Sequence, residues 1–109
     1  MMALALLLAQ ASLPSPAPAA GTPVPIREVY ERRCAACHGT DGKGKTKRGR
    51  KLKAEDFSKR RWQEETTDEE IIKVVTNGIQ KKKMPAFRDK LSEKEIQALV
   101  PYLRDFAAR

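Results

Sequence analysis

Cys34-Ala35-Ala36-Cys37-His38 holds both cysteines and the one histidine of a 109-residue chain. It is the C-x-x-C-H pattern of covalent c-type haem attachment. Two thiols three positions apart on one turn of chain can add across the two vinyl groups of one porphyrin edge. The adjacent imidazole then lies under the ring and takes one axial position of the iron. A bare C-x-x-C also opens a thioredoxin-like redox pair or half of a zinc site. Tetrahedral zinc takes four ligands, usually Cys and His. Every Cys and His of this chain is already inside the motif, so carboxylates would have to complete the set. A thioredoxin-like pair wants a βαβ setting, and no alternating strand pattern flanks the motif. A disulfide across two intervening residues closes a very small loop and stabilises little. Haem attachment is the reading that fits best.

Working outward, the length allows one small domain at most. Aromatics are 6% and charged residues 33%. So small and charged a chain struggles to bury enough apolar surface alone, and a buried porphyrin would supply the missing core. Residues 1–11 read as a signal segment. Ala3 to Ala9 is a short apolar run like a secretory h-region, and Ala9-Gln10-Ala11 offers an A-x-A cleavage site. The run is too short to span a bilayer. No Lys or Arg precedes it, so either the true start lies upstream or the signal is atypical; a plain apolar tail is the alternative. Residues 12–25, with Pro14, Pro16, Pro18, Pro23 and Pro25 among Ala, Ser and Gly, read as a stiff, extended linker. The expected location is periplasmic, or otherwise exported and soluble, with the signal cleaved.

The folded part is expected over 26–109. Ile26, Val29 and Tyr30 form a short apolar stripe leading into Cys34. Gly39, Gly42 and Gly44 break that pattern after the motif. Lys43 to Phe57 reads as basic loop with one helical turn around Ala54-Glu55-Asp56. Thr67 to Glu70 and Ser92 to Glu95 are capping boxes that open helices. The first helix buries Ile71, Val74 and Val75, and Asn77-Gly78 is its left-handed stop. The second places Ile96, Leu99, Val100, Leu103 and Phe106 on one face, with a kink expected at Pro101, which lacks the amide for the Gln97 carbonyl. The fold class is all-α: three to four helices wrapped around one haem, with long loops.

The sixth iron position of a c-type haem goes to Met, to a second His, or to nothing. His38 is the sole histidine, and Met1 and Met2 fall in the leader. That leaves Met84, in Lys83-Met84-Pro85-Ala86-Phe87. Its place suits a ligand: a loop after a helix stop, held by a proline, with Phe87 to cover the ring. The alternative is a gap-filling core side chain. His/Met ligation would close the iron to oxygen and suit electron transfer.

From about Ile26 to Arg109 the chain resembles a class I bacterial cytochrome c of the small soluble periplasmic kind. Tyr30, the Cys34–Gly39 run, Asp41-Gly42-Lys43-Gly44, Asp56-Phe57, Trp62, Asn77-Gly78-Ile79, Met84-Pro85-Ala86-Phe87 and Leu91-Ser92 with Ile96 through Leu103 carry the likeness. The resemblance implies thioether bonds from Cys34 and Cys37 to one haem c, with His38 and Met84 as iron ligands. It implies that Tyr30 packs where the first helix crosses the last. It also implies that Trp62 lies near a haem propionate, an ordinary buried ring being the alternative. The chain departs from many members in one respect. No proline stands between His38 and Phe57, where a proline carbonyl often accepts the other imidazole N–H. Some other backbone carbonyl must do so.

The first charged residue is Arg27, so the whole net charge of +8 belongs to the folded part. Lys43 to Lys53, Lys59-Arg60-Arg61 and Lys81-Lys82-Lys83 are its basic runs. A positive surface beside Met84 would steer redox proteins with acidic docking surfaces toward the haem edge; a merely solubilising surface is the alternative. Scarce aromatics in these runs, and export, argue against nucleic acid. Weak membrane-surface association is compatible with the charge, though no basic amphipathic helix supports it. The expected protein is a monomeric one-electron carrier, not an enzyme. Two other functions stay open. One is a haem-bearing subunit of a larger periplasmic oxidoreductase. The other is a ligand-binding sensor or peroxidase, disfavoured because only Arg88 could serve as a distal polar group near Met84.

Overall fold

Pro25 opens the first helix, α1 (Ile26–Arg33), its carbonyl taking the amides of Glu28 and Val29 at 2.9 and 3.2 Å. The computed structural model describes residues 24–108. The expected signal segment and most of the linker lie outside the described residues. After α1 come α2 (Ala35–His38), α3 (Lys47–Leu52), α4 (Arg60–Glu65), α5 (Asp68–Asn77) and α6 (Glu93–Arg104), with 3-10 turns at Gln80–Lys82 and Asp105–Ala108. Among the described residues there is no strand, only a bridge between Ile79 and Met84.

The all-α expectation holds, but among the described residues six α-helices stand where three to four were expected. The additional ones are four to six residues long. A helix of that length barely completes a turn and a half, so it leaves no apolar period to read. The loop expected from Lys43 to Phe57 contains α3, and the turn expected at 54–56 is absent. Thr46 starts α3 by accepting the Gly49 amide at 2.8 Å. Lys53, at φ +58°, ends it before Ala54 is reached.

Both capping boxes are present. Thr67 and Glu70 exchange bonds of 3.1 and 2.8 Å at the start of α5, and Ser92 and Glu95 do the same for α6. Gly78 ends α5 with φ +72° and ψ 177°, which is positive φ without the full left-handed turn expected. At Pro101 the helix does not break but runs on to Arg104.

α6 is the organising element. Its Ile96, Leu99, Val100 and Leu103 are buried together with Ile71 and Val75 of α5 and Val29 and Tyr30 of α1. Tyr30 stands between the Tyr102 and Phe106 rings, at 5.0 and 5.2 Å, where α1 meets α6. Tyr30 and Phe106 are 0% exposed, so rings fill the α1–α6 crossing. The Tyr30 hydroxyl donates to the Gly39 carbonyl at 2.6 Å and so ties this crossing to the end of α2.

At the far end of α6, Arg104 locks three elements. Its guanidinium donates to the carbonyls of Gln63 and Thr66 at 2.9 and 2.7 Å, and to Asp68 Oδ1 at 2.7 Å. Gln63 reciprocates, its amide donating to the Phe57 and Leu103 carbonyls. Helix α4 is thereby held by polar bonds at its C-terminal side.

Candidate haem site

Helix α2 is a single turn built on the cysteine motif. The Cys34 amide closes α1 on the Tyr30 carbonyl, and the His38 amide returns to the Cys34 carbonyl at 2.9 Å. Thr46 steadies the turn from outside, its hydroxyl lying 2.9 and 2.8 Å from the Ala36 and Cys37 carbonyls. Gly49 then lets α3 lie directly on α2, because a Cβ there would strike the Cys37 and Gly44 carbonyl oxygens.

His38 is fixed in one tautomer. Its Nδ1 lies 3.1 Å from the Glu55 carbonyl oxygen. A carbonyl only accepts, so Nδ1 carries the proton and Nε2 keeps its lone pair for a metal. The imidazole stacks on Phe57, centroids 4.3 Å apart. Burial holds the His38 pKa below its ordinary value of 6.5, with the Glu55 carbonyl opposing. The ring is therefore neutral at physiological pH, as a ligand must be. Glu55 supplies the backbone carbonyl expected to accept from the second imidazole nitrogen.

Cys34 and Cys37 form no disulfide with each other. Burial, reinforced by Cys37 and opposed by Arg33, pushes the Cys34 thiol up to about 12. That is the opposite direction from the activated thiolate of a redox C-x-x-C pair. Among the described residues no three His, Cys, Asp or Glu side chains cluster to hold a metal, so carboxylates do not complete a zinc set around the motif.

The motif opens into a two-lobed cavity. A lobe of about 550 Å³ is lined by His38, Trp62, Val75, Ile79 and Met84, with Lys59, Arg61, Glu65 and Glu70 at its wall. A lobe of about 110 Å³ shares His38, Phe57, Val75, Ile79 and Met84 with the first and adds Cys34 and Cys37. A cavity of this kind, with an apolar middle and both thiols on its narrow lobe, fits a porphyrin. Its vinyl edge would meet the cysteines, and its carboxylate edge would meet the polar wall. Cys34, Cys37 and His38 would hold it.

Met84 lines both lobes, as His38 does. Its loop is closed by reciprocal Ile79–Met84 backbone bonds of 3.0 and 3.1 Å. It is pinned to α5 by the Phe87 amide on the Val75 carbonyl at 2.9 Å. Gly78 makes room for it: a Cβ there would lie 2.6 Å from the Met84 carbonyl oxygen. Trp62 lies on the wide lobe, 4.7 Å from the Phe57 ring and under the Arg104 guanidinium. Arg88 does not line either lobe; it bonds Asn77 instead.

Sequence reasoning missed Glu55, Thr46, Gly49 and Arg104. Glu55 acts through a carbonyl that every residue has, so only the chain path could single it out. The Thr46-x-x-Gly49 cap was readable as a helix start, but the basic run around it masked the signal.

The family described as cytochrome c oxidase, cbb3-type, subunit III matches residues 22–103. Cytochrome c6 of Leptolyngbya boryana is 35% identical over 82 residues, covering 75% of this chain and 89% of that protein. A cytochrome c6-like protein of Nostoc sp. is 33% identical over 82 residues, covering 75% of this chain and 68% of its own length. The solved structure of the KustC0563 c-type cytochrome superposes with a TM-score of 0.71 at 37% identity, covering 76% of this chain and 98% of that one.

Proposed function

This chain belongs to the c-type cytochrome family described by the cbb3-type oxidase subunit III, and on that premise we propose a diffusible carrier whose haem iron is held by His38 and Met84. Haem c electron transfer itself comes with family membership. When bound, the haem supplies an iron that takes up and gives back one electron. The polypeptide does the rest. Cys34 and Cys37 fix one porphyrin edge, and the Glu55 carbonyl orients the His38 ring. The Ile79–Met84 bridge sets the depth at which the Met84 thioether enters the cavity. Phe57, Val75 and Leu103 keep the pocket apolar, which limits solvent rearrangement around the centre.

One observation carries this reading: His38 and Met84 line the same two lobes, and among the described residues no other Met or His lines either. The partners are redox proteins with acidic surfaces, and the protein is exported, as its net charge and leader-like first residues suggest.

The test is the ferrous spectrum of the haem-loaded protein with and without carbon monoxide. The wild type should not change, and Met84→Ala should bind carbon monoxide fully. Rapid binding by the wild type would reject Met84 as a firm ligand and favour sensing or catalysis. The family's description favours a second reading, a haem subunit of an oxidase complex. Co-migration of the native protein with a larger oxidoreductase on size exclusion would select it.

A further inference from the structure

Helix α4 has little of its own to stand on. Its sequence, Arg-Arg-Trp-Gln-Glu-Glu, buries no side chain fully and offers one apolar ring, the half-buried Trp62. Lys59 opens it without a side-chain cap. A helix this short is not held by its own backbone bonds, and a single ring makes no apolar face. Yet Arg61, Trp62 and Glu65, with Lys59 and Thr66 flanking them, line the wide lobe of the cavity.

Arg104 supplies the support from the last turn of α6. Its Nε donates to Asp68 Oδ1 at 3.1 Å. Its Nη1 donates to the carbonyl and side-chain oxygens of Gln63 at 2.9 and 3.0 Å. Its Nη2 donates to the Thr66 carbonyl and to Asp68 Oδ1, both at 2.7 Å. Every N–H of the guanidinium thus has an acceptor. The same group lies 5.9 Å from the centre of the Trp62 ring. Trp62 is 4.7 Å from the Phe57 ring, and Phe57 is stacked on His38 at 4.3 Å. Arg104 itself lines neither lobe. A line of contacts therefore runs from the end of α6, through the wall of the cavity, to the imidazole.

We infer that Arg104 is a positioning residue for electron transfer: it holds α4 so that Trp62 closes the wide lobe, and through Trp62 it sets the reduction potential of the haem. This rests on the carrier reading above and names a residue that tunes it. Water in the cavity favours the more highly charged ferric iron, so a wall that excludes water raises the potential. Loosening that wall lowers it. A nearby cation also raises the potential directly through space, so the fork of bonds and the charge have to be separated. Lysine separates them: it keeps the charge but lacks the planar fork.

The test is protein-film voltammetry of the haem-loaded protein, joined to near-ultraviolet circular dichroism, in which the bands of the sole tryptophan, Trp62, report whether its ring is fixed. Arg104→Lys should weaken those bands. It should also lower the ferrous-to-ferric ratio at the wild-type midpoint by about fivefold or more, part of the weight of one charge-assisted hydrogen bond. Trp62→Phe should move the ratio in the same direction. Arg104→Lys added to Trp62→Phe should stay within about twofold of Trp62→Phe alone, because residues that act through one another are not additive. Arg104→Lys with wild-type bands and potential overturns the proposal, since the cation alone would then suffice. A full second drop in the double variant overturns it too, because Arg104 would be acting by a route other than Trp62. So does a lower melting temperature with an unmoved potential, which is a structural role only. Should Arg104→Lys fail to fold, Trp62→Phe leaves the Arg104 bonds in place, and an unchanged potential there overturns the proposal by itself. A wild type with no reversible one-electron wave defeats the carrier reading. A reversible wave whose potential is the same in every variant defeats only the positioning role.

Discussion

Replacing Arg104 with Met keeps an aliphatic stem and removes the guanidinium, which lies over the Trp62 ring. The loss can be worked from its partners. Two bonds go to the half-buried carbonyls of Gln63 and Thr66, at 2.9 and 2.7 Å. Hydrogen bonds from a charged donor contribute about 1.5 kcal/mol each, giving about 3 kcal/mol for the two. The Asp68 partner is 60% exposed, so that ion pair adds at most about 1 kcal/mol. The stem's packing is retained. A loss of about 3 kcal/mol lowers the melting temperature of a domain this size by roughly 12 to 24 °C. Thermal and guanidinium unfolding of the haem-loaded protein, followed by far-ultraviolet circular dichroism, reads it directly. Asp68→Asn is the control and should cost no more than about 1 kcal/mol. If Arg104→Met costs no more than Asp68→Asn, the carbonyl bonds carry nothing and α4 is held by its apolar contacts alone.

Other outcomes follow from the same geometry. Gly78→Ala places a Cβ against the Met84 carbonyl at a φ of +72°; it should cost more than about 1 kcal/mol and let carbon monoxide reach the ferrous iron, and a variant as closed as wild type would clear Gly78 of any part in seating Met84. Thr67→Ala removes the cap of α5 and should cost about 1 kcal/mol in chemical unfolding, with no change in the haem spectrum. Glu70, whose pKa is lowered first by the Thr67 amide and then by the Thr67 hydroxyl, contributes stability above pH 4.5 that fades as pH falls through its lower folded value; Glu70→Gln should flatten that part of the stability profile. His38 has a folded pKa depressed by burial, so the unfolded chain binds the extra proton first, and stability should fall as pH drops below 6.5. The haem Soret band should nonetheless stay unchanged through pH 6.5; a transition centred there would mean that the His38 ring is solvated.

What was legible in the sequence followed from local chemistry with a fixed spacing. The pentapeptide at Cys34, the two capping boxes and the α6 stripe all depend on residues within a few turns of each other; the structure has both capping boxes and buries Ile96, Leu99, Val100 and Leu103 of α6 as expected, with Phe106 buried in the 3-10 turn that follows. What was not legible depended on where distant chain returns. Glu55 is 17 residues from His38, and Arg104 reaches Gln63 across 41. No residue type announces either contact. The short helices fail for a different reason: α3 has one apolar residue, so its stability comes from the Thr46 cap and from seating on α2 rather than from an apolar face.

The basic runs show the same limit in charge rather than in shape. In the sequence Arg60-Arg61 and Lys47-Arg48 look alike. Four residues downstream of the first pair stand Glu64 and Glu65, and the helix brings each within 3.4 Å of its arginine. Four residues downstream of Lys47 and Arg48 stand Lys51 and Leu52, so the same helical geometry concentrates positive charge instead of cancelling it. The i to i+4 spacing was available to reading all along, but only once a helix was known to exist over Lys47–Leu52 did it acquire meaning. Local pairing decides which charges are spent inside the fold, and it leaves Lys47, Arg48 and Lys51 of α3 among the unspent ones.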